Sequence, residues 1–367
     1  MWRGDRAKAA WLQGAVLGVS RTRSFSAPRE AAIWPRVVTE VKVDSARSDA
    51  SAGPSTPRVD VDEAVRLLRE GGVVALPTET VYGLGASALD PQAVARVFRV
   101  KGRPEHHPLI VHLASADLLP GWAVTDERAR RLAERFWPGP LTIVLPRGPL
   151  ALDAVTGGLE TVGVRVPDHP LTLAVLARLG SGVAAPSANR FGRISPTRAE
   201  HVASDLGADI DGVLDGGPCL VGIESTIVDL TRARPAILRL GGITREALEA
   251  ELGEVDVETR AAGQGDGERA RAPGQLASHY APRARLEVWP DLEVQAQAAR
   301  KRAEGVDVCV LDAAVLGTAA VTWAARLYDA LRVADAQGPD LILVATPPRG
   351  ALSDAVADRL TRAAAPR

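Results

Sequence analysis

At 367 residues the chain is long enough for two domains of ordinary size, and a hydrophobic content of 46% supports packed cores. A formal net charge of −1 gives no global pull toward nucleic acid or an anionic membrane, and no apolar run approaches the roughly 18–20 residues that span a bilayer. Two cysteines, Cys219 and Cys309, lie far apart, which argues against a disulfide framework or a cysteine metal site and suits a reducing compartment.

Residues 1–57 begin Arg-rich and nearly free of acids, then turn to Ser, Ala and Pro. That composition predicts a disordered extension, in preference to an organelle transit peptide. From Val59 the pattern tightens. Apolar residues at Val61, Ala64, Val65 and Leu68 predict a helix ended by Gly71-Gly72. VVALPT reads as a buried strand. Asp90 and Pro91 supply the cap and first turn of a helix with AVARVFRV as its body. PLIVHL is a buried strand, DERARRLAERFWPG an amphipathic helix stopped by Pro138-Gly139, and LTIVLP a strand. TVGVRVP, GVAAPSAN, DGVLDGG and STIVDL read as short β segments, with helices at HPLTLAVLARLG and ITREALEAELG. Helices alternate with strands separated by tight turns, which predicts a mixed, twisted α/β sheet. RAAGQGDGERARAPGQ is charged and Gly-rich with little to bury, as a linker would be. RLEVWP, VDVCVLD and DLILVATPP then predict three buried strands alternating with helices, a compact Rossmann-like βαβαβ domain. The expected organisation is an extension over 1–57, a core domain over 58–254, a linker or lid over 255–283 and a C-terminal domain over 284–367.

The chemistry concentrates between Gly71 and His112. Gly83-Leu-Gly85-Ala-Ser-Ala88 mimics a dinucleotide fingerprint but fails it. The next helix starts only at Asp90-Pro91, and basic residues stand where a ribose-binding acid belongs. Its glycines are expected at tight turns and close backbone approaches. Lys101 and Arg103 are better phosphate candidates, a point charge beside a planar fork, which an extended segment would place on one face. Ser187 and Asn189 follow a strand and could bind phosphate or cap a turn. Ser225 enters another strand. Arg165 sits inside an apolar β run, where it is either a core ion pair or the grip on a ligand carboxylate; Arg239 raises the same question. His106, His107 and His112 lack a metal spacing. Glu79 and Glu224 lack an evident partner carboxylate, so no acid/base dyad stands out. His279-Tyr280 is out of place in a linker, and either docks on a ligand as part of a lid or packs as a tether.

PTETVYGLGA, KGRP, HPLIVH, FWPGPLT, VGVRVP, APSAN, ESTIVD and ILRLGGIT follow one another over residues 59–250. In that order they resemble the Sua5/YrdC/YciO family of threonylcarbamoyl-AMP synthases. APGQLASHYAP and the βαβ tail are similar to the linker and extra domain of its long form. The resemblance implies a YrdC-type fold with a concave, positively charged cavity. It implies condensation of L-threonine, bicarbonate (or CO2) and ATP to threonylcarbamoyl-AMP and pyrophosphate. The product would pass to a downstream tRNA threonylcarbamoyl transferase that modifies tRNAs reading ANN codons.

By the same resemblance Thr80, His112, Arg165 and Ser225 hold threonine. Lys101, Arg103, His107, Thr161, Ala185, Ser187, Asn189, Ser195 and Arg239 line the ATP site, and Tyr280 closes over the nucleotide. His107 stands where the family often has Asn. Mg2+ is expected to arrive with the triphosphate without a dedicated carboxylate cage, and the cytoplasm is the expected location. Two other readings compete. An RNA-binding module of the same fold would use the basic cavity for a tRNA or double-stranded RNA backbone, but aromatic content of 4% and the net charge of −1 speak against it. A carbamoyl-adenylate-handling relative would carry zinc-finger and acylphosphatase segments that this chain does not show.

Overall fold

A computed structural model of the chain describes residues 56–258 and 271–366. The expectation of a disordered or targeting extension therefore falls almost wholly outside the described residues, as does most of the charged, Gly-rich part of the linker.

Strand β1 (Arg58–Val59) leads into helix α1 (Val61–Arg69), whose cap Asp60 accepts the Glu63 N–H and whose buried face is Ala64, Val65 and Leu68. β2 (Val74–Leu76) and β3 (Gly83–Ser87) follow, then α2 (Pro91–Lys101), capped by Asp90 and ended by Gly102 at φ +64°. Next come β4 (Ile110–His112), α3 (Glu127–Phe136), β5 (Leu141–Pro146), β6 (Thr161–Arg165) and α4 (Pro170–Leu179). β7 (Val183–Ala184), α5 (Ala199–Leu206), β8 (Gly212–Leu214), β9 (Thr226–Asp229), β10 (Ala236–Arg239), α6 (Arg245–Leu252) and β11 (Asp256–Val257) complete this part.

These strands form one mixed sheet in the order β1-β8-β2-β3-β7-β4-β6-β5-β9-β10-β11. Side chains alternate across it, as a pleated sheet requires. Val74 and Leu76 point to a cluster with α1 and α4, while Val73 and Ala75 point to one with α2 and α5. A third cluster under β4, β5 and β6 takes Leu132 and Phe136 of α3. The mixed α/β sheet expected from the sequence is the observed one.

Two local expectations need correction. GLGAS is strand β3, paired antiparallel with β2, and Gly83 and Gly85 lie inside it rather than at turns. What they permit is close approach. A Cβ on Gly85 would stand 3.0 Å from Val183 of β7 and 3.1 Å from Leu76, so a larger side chain would push the strands apart. Lys101 and Arg103 do not share the face of an extended segment. Lys101 ends α2, and the left-handed Gly102 turns the chain between them.

The C-terminal part has β12 (Arg285–Trp289), α7 (Asp291–Ala303), β13 (Val308–Leu311), α8 (Ala320–Ala336), β14 (Leu341–Ala345) and α9 (Ser353–Ala364). Its three strands run parallel, as the βαβαβ reading requires, in the order β12-β14-β13, which puts the last strand between the first two, where a Rossmann half has its second; all five residues of β14 are buried. The described stretch between the two sheets is less loose than its composition suggests. Ala272, Gln275, His279 and Tyr280 are all buried.

Candidate active site

The sheet brings several strand ends to one place. β4 ends at His112, which pairs with Arg165 at the end of parallel β6 and with Val183 of antiparallel β7. Ser225 precedes β9, and Arg239 ends β10 opposite Ile227. Above these ends lies a cavity lined by Thr80, Arg103, His112, Arg165, Ala185, Ser187, Ser225, Arg239 and Tyr280. The space left open to water is about 50 Å³. That is room for a few water molecules and far less than the hundreds of cubic ångströms that small-molecule sites usually offer.

Arg165 is fixed from three sides. Its Nη1 donates to Thr80 Oγ1 at 3.0 Å, its Nε to the Gly139 carbonyl at 3.2 Å, and its Nη2 lies 2.6 Å from Glu79 Oε1. That last contact is close but poorly directed, since neither atom makes a well-aligned hydrogen bond among the described residues. Glu79 in turn accepts the Asp168 N–H at 3.0 Å. Arg165 thus makes a buried ion pair while its guanidinium also lines the cavity, so the two roles left open by the sequence do not exclude each other. Thr78 holds Thr80 in place, its Oγ1 lying 2.8 Å from the Thr80 hydroxyl and donating to the Val81 carbonyl at 2.6 Å.

Arg239 donates from Nε to the Ser225 carbonyl and from Nη2 to Ser225 Oγ, both at 3.0 Å. Ser225 Oγ is also 2.8 Å from Thr142 Oγ1. Arg103 donates to the Pro108 carbonyl at 3.0 Å, and its Nε has no partner among the described residues. Burial lowers the Arg103 guanidinium to about 10 and pulls Arg239 down as well. Burial, seconded by Arg165, lowers His112 to about 3, so its imidazole is neutral at any physiological pH. Three guanidiniums thus meet at one buried cavity.

Five residues proposed for the nucleotide do not line this cavity. Lys101 is buried behind it, its Nζ donating to the carbonyls of Ser187 and Asn189, both at 2.5 Å. Asn189 turns its amide into its own loop, toward the carbonyls of Arg190 and Arg193. Ser195 donates to Glu224 at 2.6 Å. His107 packs on Phe191, ring centroids 5.7 Å apart. Thr161 opens β6, four residues before Arg165, and pairs with Pro146. Lys101 and Ser195 thus hold the walls rather than form them.

Sequence reasoning missed the partners of Glu224, a buried carboxylate in the cavity wall. Besides Ser195, they come from the C-terminal part. Arg359 of α9 reaches its Oε2 at 2.8 Å, and the Tyr328 hydroxyl of α8 donates to it at 2.9 Å. Burial would raise this carboxyl, but Arg359, Arg239 and Ser195 outweigh it and hold it at about 2. Tyr280 lies among the same groups, stacked on Tyr328 at 5.8 Å, with the Arg359 guanidinium 5.0 Å over its ring. Its backbone is left-handed at φ +62°, a strained conformation for a tyrosine. Among the described residues, no three His, Cys, Asp or Glu gather as a metal site would require. No described helix is long and apolar enough to cross a membrane.

Residues 66–241 match the Sua5–YciO–YrdC family model, described as telomere recombination, and residues 243–365 match the C-terminal domain of threonylcarbamoyl-AMP synthase. The chain is 42% identical over 331 residues to the threonylcarbamoyl-AMP synthase of Bacillus subtilis, covering 85% of this chain and 95% of that protein. It is 41% identical over 315 residues to the enzyme of the same name from Pyrococcus abyssi, covering 82% and 92%. The crystal structure of P. abyssi Sua5 complexed with L-threonine superposes with a TM-score of 0.78 at 42% identity, over 83% of this chain and 94% of that one.

Proposed function

The chain belongs to the Sua5/YciO/YrdC family of threonylcarbamoyl-AMP synthases, and on that premise we propose that it condenses L-threonine, bicarbonate or CO2, and ATP into threonylcarbamoyl-AMP and pyrophosphate. One observation carries the reading: Arg165, Arg103 and Arg239 open on the same buried cavity as the hydroxyls of Thr80 and Ser225. A zwitterionic amino acid and a polyanionic nucleotide are the substrates such a wall suits.

The reaction asks little acid/base work of the protein. The threonine amine loses a proton to solvent as its nitrogen bonds to CO2. A carbamate oxygen then attacks the α-phosphorus in line, and the bond to the pyrophosphate oxygen breaks. Positioning and charge neutralisation dominate such a transfer. Arg165 would take the threonine carboxylate, with Thr80, His112 and Ser225 around it. Arg103, Arg239 and Ser187 would face the phosphates, and Lys101 would hold the Ser187–Asn189 loop that carries them. Neutral His112 can accept or donate one hydrogen bond without adding charge. Mg2+ would enter as the counter-ion of the triphosphate, because the one carboxylate that lines the cavity among the described residues, Glu224, already has Arg359, Tyr328 and Ser195 as partners.

A cavity of this size holds no nucleotide, so the stretch ending in His279-Tyr280 would move out to admit ATP and return over it. The product would be consumed by a transferase acting on tRNA, a role that fits the cytoplasm. The test is direct. Incubation with ATP, labelled threonine and bicarbonate should give a threonine-dependent adenylate and pyrophosphate in equal amounts. Folded protein that yields neither would refute the assignment.

A further inference from the structure

Glu224 is out of place in a wall built to attract anions. A carboxylate facing a triphosphate opposes its binding unless its charge is cancelled. On the catalytic side Glu224 has the Ser195 hydroxyl, while Arg239 directs its hydrogen bonds to Ser225 and Pro273. The direct ion pair comes from the C-terminal domain, through Arg359. Arg359 is completely buried. Its Nη2 also donates at 2.8 Å to the Leu240 carbonyl, next in sequence to Arg239, and its guanidinium covers the Tyr280 ring. The loop that carries Glu224 is pressed onto α8, where a Cβ on Gly222 would stand 2.4 Å from the Ala324 carbonyl oxygen.

We propose that Arg359 is a positioning residue of the ATP site. It cancels the Glu224 charge in the cavity wall and ties that pair to the Leu240 backbone beside Arg239 on one side and to the Tyr280 ring on the other. The C-terminal domain then supplies part of the anion site without touching substrate. This rests on the reading that the cavity takes ATP. Without Arg359, a buried carboxylate confronts the triphosphate. Threonine, with no net charge, is affected far less.

The experiment measures ATP and threonine binding by calorimetry, with pyrophosphate release alongside, for the unsubstituted chain and for Arg359→Met, Arg359→Lys and Glu224→Gln/Arg359→Met. Arg359→Met should weaken ATP binding about tenfold or more while threonine affinity changes less than about threefold. Arg359→Lys, which keeps the charge, should stay close to the unsubstituted protein. The double substitution should recover ATP affinity to within about threefold, since it strands no charge in the cavity wall, and Asp358, the other carboxylate that Arg359 pairs with, keeps Arg362. Unchanged ATP affinity in Arg359→Met, or a loss that Glu224→Gln does not rescue, overturns the proposal. If Arg359→Met does not fold, the double variant decides: near-normal ATP affinity supports the proposal and a tenfold loss overturns it. An unsubstituted protein that binds ATP but releases no pyrophosphate counts against the synthase reading instead, and the contrast between variants still reads.

Discussion

Arg165 illustrates how one side chain can be held and available together. Its Nη1 and Nε are fixed by Thr80 and Gly139, and Nη2 by contact with Glu79, yet it faces the cavity. Arg165→Ala should abolish threonine binding while leaving most ATP binding, as calorimetry would show. Intact threonine affinity would remove it from that role. The same substitution strands Glu79 in the interior and should cost about 3–5 kcal/mol of stability, readable by urea denaturation. Tyr280 gives a second test at this scale. Its hydroxyl has no partner among the described residues, while its ring packs on Tyr328 and Arg359. Tyr280→Ala should raise the KM for ATP and leave the sheet intact, whereas Tyr280→Phe should be close to normal. Equal effects of the two would mean that the hydroxyl, and not the ring, is what matters.

Among the elements, those that carry their own signals were legible. The helix that Asp90 and Pro91 announce is present and capped by Asp90, and the β segments at VVALPT, LTIVLP and STIVDL are strands. β3 was not legible, because GLGAS lacks the β-branched and aromatic side chains by which strands announce themselves. The partners of Glu224 were hidden for a different reason. Tyr328 and Arg359 stand more than a hundred residues away on helices whose sequence carries no motif, and docking alone brings them there. The site residues that a resemblance suggested could be placed one by one, but which form the cavity and which brace it, such as Lys101 and Ser195, depends on side-chain direction. Gly102 offers a clean test of an element boundary. Its φ is +64° and nothing lies within 4 Å of where a Cβ would be, so Gly102→Ala adds backbone strain without a clash. The expected loss is about 1 kcal/mol, measured as a lower urea midpoint. No change would mean that the α2 terminus relaxes.

For the whole molecule, pH dependence follows from histidines that the fold keeps neutral. Burial lowers His112 to about 3, and His279 likewise to about 3 with further help from Arg103. In the unfolded chain both take up a proton near 6.5. Their contribution to stability is complete above that pH and is lost as pH falls toward about 3, because the unfolded state binds the protons first. The slope is about 1.4 kcal/mol per pH unit for each histidine in that window. Urea midpoints should therefore fall steadily from pH 6.5 to 4, and His112→Gln should make the fall shallower. A profile that is flat over this range, or unchanged by His112→Gln, would contradict the neutral, buried state.

The order of the large sheet also governs how the chain finds its fold. Arg58 pairs with Val213, and β5 lies between its sequence neighbour β6 and the later β9. Few strands can complete their hydrogen bonds with the chain made just before them. Loop-closure entropy is lost well before the pairing energy returns, so folding should be slow for a molecule of this size. On a ribosome, β1 and β2 would wait with exposed edges until β8 emerges, and Glu224 would remain without its ion pair until α9 had been synthesised. A nascent chain of this kind carries unpaired strand edges until β8 is made, and its active site is complete only once α9 follows.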